Sequence, residues 1–268
     1  MLEYLVAHEA ITRFIAFAIL AIIIAMAEYF FPRRPAIRYR WPTNLALLAI
    51  DSVIIRVISA ISLTGFASLA TQYQLGVLPQ LGLSAIAQIA LAIVVLDLTL
   101  YGQHRLLHSV PMFWKFHAVH HADSEFDVTT GVRFHPLEAV FSLCFKAIAV
   151  VVCGAPVIAV LLFEVLLNAA SLFGHSNIRL ATSVDHALRL IIVTPDMHRI
   201  HHSVQSAERE HNFGFFASVW DRLFGTYQTE PALSHATMTL GLPKSAAPAQ
   251  NRGLWALLCM PFMSAPGN

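Results

Sequence analysis

The sequence predicts an all-α, polytopic membrane protein: three spanning helices, a helical hairpin, and a cytosolic helical part that carries clustered histidines. Composition is the first observation behind this. Of 268 residues, 57% are hydrophobic and 12% charged, where soluble domains hold about 45–50% and about 25%. Distribution is the second: the apolar surplus falls in long runs, so a bilayer is the natural solvent. The third is charge. A net charge of +1 without a basic stripe excludes a nucleic-acid partner. Cys144, Cys153 and Cys259 are too few and too apolar in setting to form a disulfide framework.

The first apolar run, Thr12 to Phe31, is long enough for about 30 Å of hydrocarbon at about 1.5 Å per residue. It ends in FFPRR rather than in a small-residue cleavage site, which makes it a retained anchor. The second run extends from Asn44 to about Ala70 and the third from Ser84 to about Leu107. Arg33, Arg34, Arg38 and Arg40 separate the first two, whereas Thr71–Leu83 carries no charge. The positive-inside rule therefore puts Pro32–Pro42 in the cytoplasm and Thr71–Leu83 on the far side. The fourth stretch, Ala139 to Phe173, is broken by Gly154-Ala155-Pro156. Proline interrupts a helix, so a tight hairpin of two arms of about 15–17 residues is expected, entering and leaving on one side. Both arms are short for full crossings, which makes a partly re-entrant pair the alternative. The hairpin returns the chain to the side it left, which gathers His104–His135 and His175–His202 in the cytoplasm. Residues 1–230 read as one membrane-embedded unit. Residues 231–268 read as a loosely ordered tail whose apolar patch, Leu254 to Phe262, docks on the membrane face.

Three histidine clusters stand out: HRLLH (His104, His108), HAVHH (His117, His120, His121) and HRIHH (His198, His201, His202). Residues three or four apart share one helix face, so two imidazoles of one helix reach the same metal or two adjacent ones. With 14 histidines in the chain, template counting expects roughly 0.04 copies of HxxHH; there are two, plus an HxxxH. Isolated histidines such as His8, His186 and His235 read as interfacial residues, and His211 has no partner at ligand spacing. Imidazole suits iron, zinc, copper and nickel. Eight or nine ligands exceed one metal and suit two with open positions, and a tetrahedral structural zinc needs no such excess.

Helical spacing adds further polar residues. Asp97, Tyr101, His104 and His108 form one stripe, with Asp97 expected to orient a ligand. Glu164, Asn168, Ser171 and His175 form another, with His175 a ninth candidate ligand. His135 and Glu138 start the first hairpin arm, His135 as a ligand, a ligand's partner or a helix cap. Asp51 and Arg56 are expected to pair or to line a cavity. NFGFFASVWDRLFGTY (Asn212–Tyr227) reads as an amphipathic helix lying over the site.

In this order, with two apolar runs before HRLLH and one stretch between the second and third boxes, the sequence resembles the fatty acid hydroxylase/sterol desaturase superfamily. DLTLYGQHR, RFHPLE, GHSN at His175, TPDMHRIHHS and NFGFFASVWDRLFGTY add to the resemblance, which covers about Asp97 to Tyr227. It implies an integral membrane oxygenase with two iron ions held by His104, His108, His117, His120, His121, His198, His201 and His202. His175 matches an additional histidine. Such an enzyme uses O₂ and two electrons to hydroxylate a fatty acyl, sterol-like or glycerol-ether lipid. The spacing of HRLLH is closer to the sterol and alkylglycerol-ether branches. No attached cytochrome b5 or ferredoxin segment is recognisable, so a separate electron donor (ferredoxin, cytochrome b5 or a reductase) is expected.

Other readings use the same residues. Desaturation shares hydrogen abstraction with hydroxylation and differs in whether oxygen is then transferred. A metal transporter or sensor would place its ligands at the bilayer midplane, whereas these boxes fall at helix ends. A membrane zinc hydrolase lacks a glutamate positioned beside HxxxH, although zinc can displace iron in purified protein.

Overall fold

The structure, a computed structural model, describes residues 2–59, 61–243 and 253–263. Among these the regular elements are helical, with isolated β-bridges at Pro32–Ile178, Ile192–Ala217 and Ser203–Leu240. In chain order the α-helices are α1 (Leu2–Ala7), α2 (Glu9–Phe30), α3 (Trp41–Ile58), α4 (Leu63–Gln72), α5 (Ala85–Ser109), α6 (Pro111–His121), α7 (Pro136–Cys153), α8 (Val157–Gly174), α9 (Thr182–Leu188), α10 (Pro195–His201), α11 (Ser206–Arg209), α12 (Val219–Leu223) and α13 (Leu254–Cys259). Glu9–Phe30, Trp41–Gln72, Ala85–Ser109, Pro136–Cys153 and Val157–Gly174 are long and apolar enough to cross a membrane.

Two expectations about these spans need correction. The hairpin arms are not short: each has 18 residues, because α7 begins at Pro136, three residues before the apolar run. His135 caps its first turn, the side chain accepting from the Leu137 amide. The second run is not one continuous helix either. It breaks after Ile58 and restarts at Leu63, where the Ser62 hydroxyl accepts from the Gly65 amide. Serines that bond to nearby backbone compete with the helical ladder, and they do so here without proline or glycine.

Proline and glycine set the other boundaries. Val110 precedes Pro111 and is extended, φ −102° and ψ 114°, since proline disfavours a helical residue before it. The chain therefore leaves α5 just after HRLLH and starts α6, which carries HAVHH. Gly154 ends α7 in the left-handed region at φ 69°. Gly76 (φ 94°) packs on it so closely that a Cβ would lie 2.2 Å from the Gly154 nitrogen. This contact locks the α4–α5 connection onto the tip of the hairpin.

The main core lies between α4, α5, α7 and α8, around Leu63, Leu96, Val150, Val160 and Phe163. Ala67, Ala92, Ala155 and Ala159 are fully buried within it. In lipid no hydrophobic gain separates helix from bilayer, so small residues that let backbones approach supply the packing energy. Ile86 and Val57 instead stay 81% and 78% exposed on an apolar outer face.

At the opposite end from Gly154, polar contacts fasten the loops that carry the histidines. Glu28 of α2 accepts from the Val128 (2.7 Å) and Asn177 (2.6 Å) amides. Buried Arg40 pairs with Asp123 and Asp127, and Asn44 donates to Thr129 Oγ1 at 2.9 Å. Arg33 pairs with Asp196 at 3.0 Å. The Arg-rich 32–40 segment thus packs at the histidine end. Leu254 to Phe262 packs against Leu47 and Val119 of the protein itself.

Candidate metal centre

All nine histidines singled out above converge between the ends of α5, α6, α8 and α10. They form two adjoining groups: His104, His108, His117, His121 and His201, and His120, His175, His198 and His202. One nitrogen of each residue lies within 4.8 Å of those of its group. The helical period explains the partition. His117 and His121 (i, i+4) face the first group while His120 faces the second. His198 and His202 (i, i+4) face the second while His201 faces the first. Each HxxHH box therefore contributes to both groups, and the His121 and His202 rings stack at 4.5 Å where the groups meet.

The orientation of the rings is fixed from behind. Nδ1 donates to a carbonyl oxygen in His104 (Phe213, 2.9 Å), His120 (Arg133, 3.1 Å), His175 (Ser171, 2.8 Å) and His201 (His211, 2.8 Å). His117 Nδ1 donates to Glu138 Oε1 at 2.7 Å. A proton on Nδ1 leaves Nε2 of a neutral ring as a bare lone pair. Yet His104 and His201 bring their Nε2 atoms to 3.0 Å, and so do His120 and His175. No proton is left to bridge either pair. Two lone pairs this close repel unless a cation lies between them. Metal–imidazole bonds of about 2.0–2.1 Å place ligands at right angles about 2.9 Å apart. His117 Nε2 and both nitrogens of His108, His121 and His202 are buried without hydrogen-bond partners, where an orphaned polar atom is costly. The donor set therefore fits two metal ions.

Electrostatics agree. Burial first, and neighbouring imidazoles second, hold His120, His121, His198 and His202 well below the ordinary histidine range. Burial does the same to His201 and lowers His175 to about 4. Neutral imidazole is the form that ligates.

The remaining expected residues divide. Glu138 touches a histidine directly. Asp97 does not: it accepts from the amides of Phe216 (3.2 Å) and Ala217 (3.1 Å) and from Trp220 Nε1 (2.8 Å). It thereby holds the loop whose Phe213 carbonyl orients His104. Tyr101 bonds Thr226 Oγ1 at 2.8 Å and stacks on Phe224, fastening the same segment. His135 joins neither group; it caps α7 and faces the Leu258 carbonyl at 3.2 Å. Glu164 and Asn168 line a cavity beneath the site, and Glu164 pairs with Arg13 at 2.6 Å. Asp51 and Arg56 line that cavity too. Residues 212–227 are mostly an irregular loop, with helix only at Val219–Leu223. Asp97 and Asp221 accept the amides of Phe213, Gly214, Phe216 and Ala217, which satisfies the backbone without a helical ladder.

Sequence reasoning gave no role to the backbone carbonyls of Phe213, Arg133, Ser171 and His211, which aim four of the rings. Their side chains carry no signal for this, because any residue supplies a carbonyl.

The cavity holds about 500 Å³ and is reached by His104, His117, His120, His175 and His198. Its other walls come from α2, α3, α5, α7 and α8. This is a largely apolar chamber opening onto clustered histidines within a set of membrane-length helices.

Fold and site define a helical protein with membrane-length spans and two histidine groups that could hold metal, and the comparisons name its family. The chain belongs to the fatty acid hydroxylase family, whose model matches residues 89–226. It is 33% identical over 175 residues to the ornithine lipid hydroxylase of Rhizobium tropici, covering 65% of this chain and 50% of that protein. It is 28% identical over 135 residues to the human (Homo sapiens) alkylglycerol monooxygenase, covering 50% and 29%. The fatty acid hydroxylase of Lecanicillium sp is 27% identical over 164 residues, covering 50% and 40%. The chain thus spans half or less of the length of these curated relatives. No solved structure matches the chain at a significant level.

Proposed function

We propose that this protein is a diiron membrane oxygenase that hydroxylates a C–H bond of a lipid. The observation that carries the reading is the pair of bare-nitrogen histidine contacts, His104–His201 and His120–His175, at the head of a cavity between membrane-length helices. Relatives that are lipid hydroxylases and an alkylglycerol monooxygenase support the reaction class. The nine histidines would hold two iron ions, five on one and four on the other. Iron, when bound, supplies the redox chemistry with O₂ that zinc lacks. In balance, one oxygen atom enters the C–H bond and the other leaves as water, with two electrons drawn from a separate electron donor and two protons from the solvent.

The chain's own part is placement and insulation. Glu138 and the four backbone carbonyls hold the imidazoles in one tautomer and aim them inward. The walls contributed by Leu100, Leu107, Val132, Phe134, Leu167 and Phe215 exclude water and lay an alkyl chain against the metal-facing edge. The four arginines packed at the histidine end support a cytoplasmic placement of that end by the positive-inside rule. Desaturation on the same site is the second reading; it would differ only in the fate of the abstracted hydrogen's carbon.

The test is elemental analysis of the detergent-purified chain, followed by iron loading and incubation with lipids, O₂ and a ferredoxin-type reductant. About two irons per chain and lipid products that gain one oxygen atom are expected. Products that lose two hydrogens instead would establish the desaturase. Two zincs would require that iron reconstitution restore turnover. One metal or none with all histidines intact, or a fully loaded but inert chain, would overturn the reading.

A further inference from the structure

The cavity has a charged end that the metal chemistry does not use. Arg13, Arg56, Lys146, Asp51 and Glu164 all line it, and all lie within or at the start of apolar, membrane-length helices. Ionisable residues in such helices are expensive and are retained where they do something. Helical rise puts the Arg13–Lys146–Glu164 part of this end away from the histidines, whereas Asp51 lies toward Glu138. Lys146 is eight residues along α7 from Glu138, about 12 Å, and Glu164 is eleven residues along α8 before His175, about 16 Å. The α3–α4 break and the first turn of α2 meet at the same level, where Thr64 donates to Glu9. Ser52 and Arg56 line the cavity with exposed side chains, which marks a mouth on that side.

Helix pairing explains only part of this layer. The Arg13–Glu164 ion pair ties α2 to α8. Lys146, next to both, donates no hydrogen bond to any described residue. Buried Glu164 Oε2 and Asp51 Oδ1 accept none. A cation and two carboxylate oxygens thus face one chamber with their hydrogen-bonding capacity unspent. Counting Glu138, which is engaged with His117, three acids face three bases across the cavity. A zwitterionic occupant meets a partner of opposite sign for each of its charges there, whereas a singly charged one leaves groups of one sign unpaired in a low-dielectric space.

We propose that this charged layer binds the zwitterionic head of an amphiphile, its anionic group on Lys146 and Arg56 and its cationic group on Glu164, with the alkyl chain directed to the histidines. The head then sits at the mouth, and the carbon presented to the metal-ligand cluster lies ~10 carbon–carbon bonds away. As a binding site this stands on its own; the position of oxidation rests on the oxygenase reading.

The test uses the full chain in detergent and four probes with the same sixteen-carbon tail: hexadecylphosphocholine, hexadecyl sulfate, hexadecyl maltoside and hexadecyltrimethylammonium. Binding is read on the metal-free chain by native mass spectrometry, so it does not depend on turnover. The phosphocholine is expected to bind about tenfold or more tightly than each of the others. Lys146→Gln and Glu164→Gln should each erase that preference while leaving maltoside binding unchanged, and Lys146→Arg should keep it. Equal binding of all four probes, or a preference for the sulfate or the ammonium, would overturn the proposal without any variant having to fold. With iron, O₂ and reductant added, the hydroxyl should appear far down the tail of the phosphocholine probe, located by tandem mass spectrometry. Oxidation beside the head would overturn the orientation. Selective binding with no oxidation would sink the oxygenase reading and leave the head site standing.

Discussion

Glu138 Oε1 stands 2.7 Å from His117 Nδ1, and both groups are buried. The carboxylate comes from the first turn of α7, so the start of a membrane-length helix aims a histidine of the second box. A carboxylate behind an imidazole fixes its tautomer and raises its basicity, and losing such a partner costs about 10–100-fold in metal affinity. Glu138→Ala is expected to weaken binding by that factor at the five-histidine group and leave the other group intact. Glu138→Gln retains an acceptor oxygen and should lose less. Competition with a chelator, following one metal per chain released early, reads both. Unchanged release from Glu138→Ala would show that His117 is held without it.

Asp97 acts on the site through a loop. Its two oxygens accept two amides and the Trp220 indole, and the loop they pin carries the Phe213 carbonyl behind His104. Removing the carboxylate strands three donors, at about 1–3 kcal/mol for each buried one left unsatisfied. Asp97→Ala should lower the thermal midpoint of the metal-free chain and also reduce metal affinity at the five-histidine group. Loss of stability with no change in affinity would separate the loop from His104.

How much of this was legible in the sequence follows from what each feature depends on. The spans were readable because hydrocarbon length is a property of the run itself, as in Thr12–Phe31 against α2. The three boxes were readable because i, i+3 and i+4 spacing is local. The partition of nine histidines into five and four was not, since it depends on how α6 and α10 face one another. Asp97 was visible as a costly intramembrane charge, but its partners lie 119 to 123 residues away in sequence. The Asn212–Tyr227 segment has helix-like amphipathicity, and side-chain carboxylates that no local pattern could foresee bind its amides instead. The break at Ile58–Leu63 lacks proline and glycine, the two signals on which a boundary is read.

The histidines also set a pH response. In the folded, metal-free chain His120, His121, His198, His201 and His202 titrate well below the ordinary range, and His175 near 4. Unfolded, each would titrate near about 6.5. Below that value the unfolded chain binds more protons than the folded one, so stability is present above it and is lost as pH falls toward 4. Each group contributes up to about 1.4 kcal/mol per pH unit in that window. The thermal midpoint of the metal-free protein should therefore drop steeply between pH 6.5 and about 4, and bound metal should displace the drop to lower pH. A midpoint flat across the window would mean that the imidazoles are hydrated in the metal-free state.

The second histidine group depends on a close backbone approach. A Cβ on Gly131 would lie 2.7 Å from the Ser171 carbonyl oxygen. That same oxygen accepts from His175 Nδ1 at 2.8 Å, and the Ser171 hydroxyl donates back to the Gly131 carbonyl at 2.7 Å. The obstructing atom is backbone, so it cannot rotate aside as a side chain could. Gly131→Ala must push the last turn of α8 outward or tilt the loop that follows the second box. Overpacking of this kind costs about 1–3 kcal/mol. Because the displaced carbonyl aims His175, the loss should extend to metal at the four-histidine group while the five-histidine group still loads. The expected result is a folded chain with close to one metal in place of two, read by elemental analysis beside the thermal midpoint. Two tightly held metals in a destabilised Gly131→Ala chain would mean that His175 is aimed by something other than the Ser171 carbonyl.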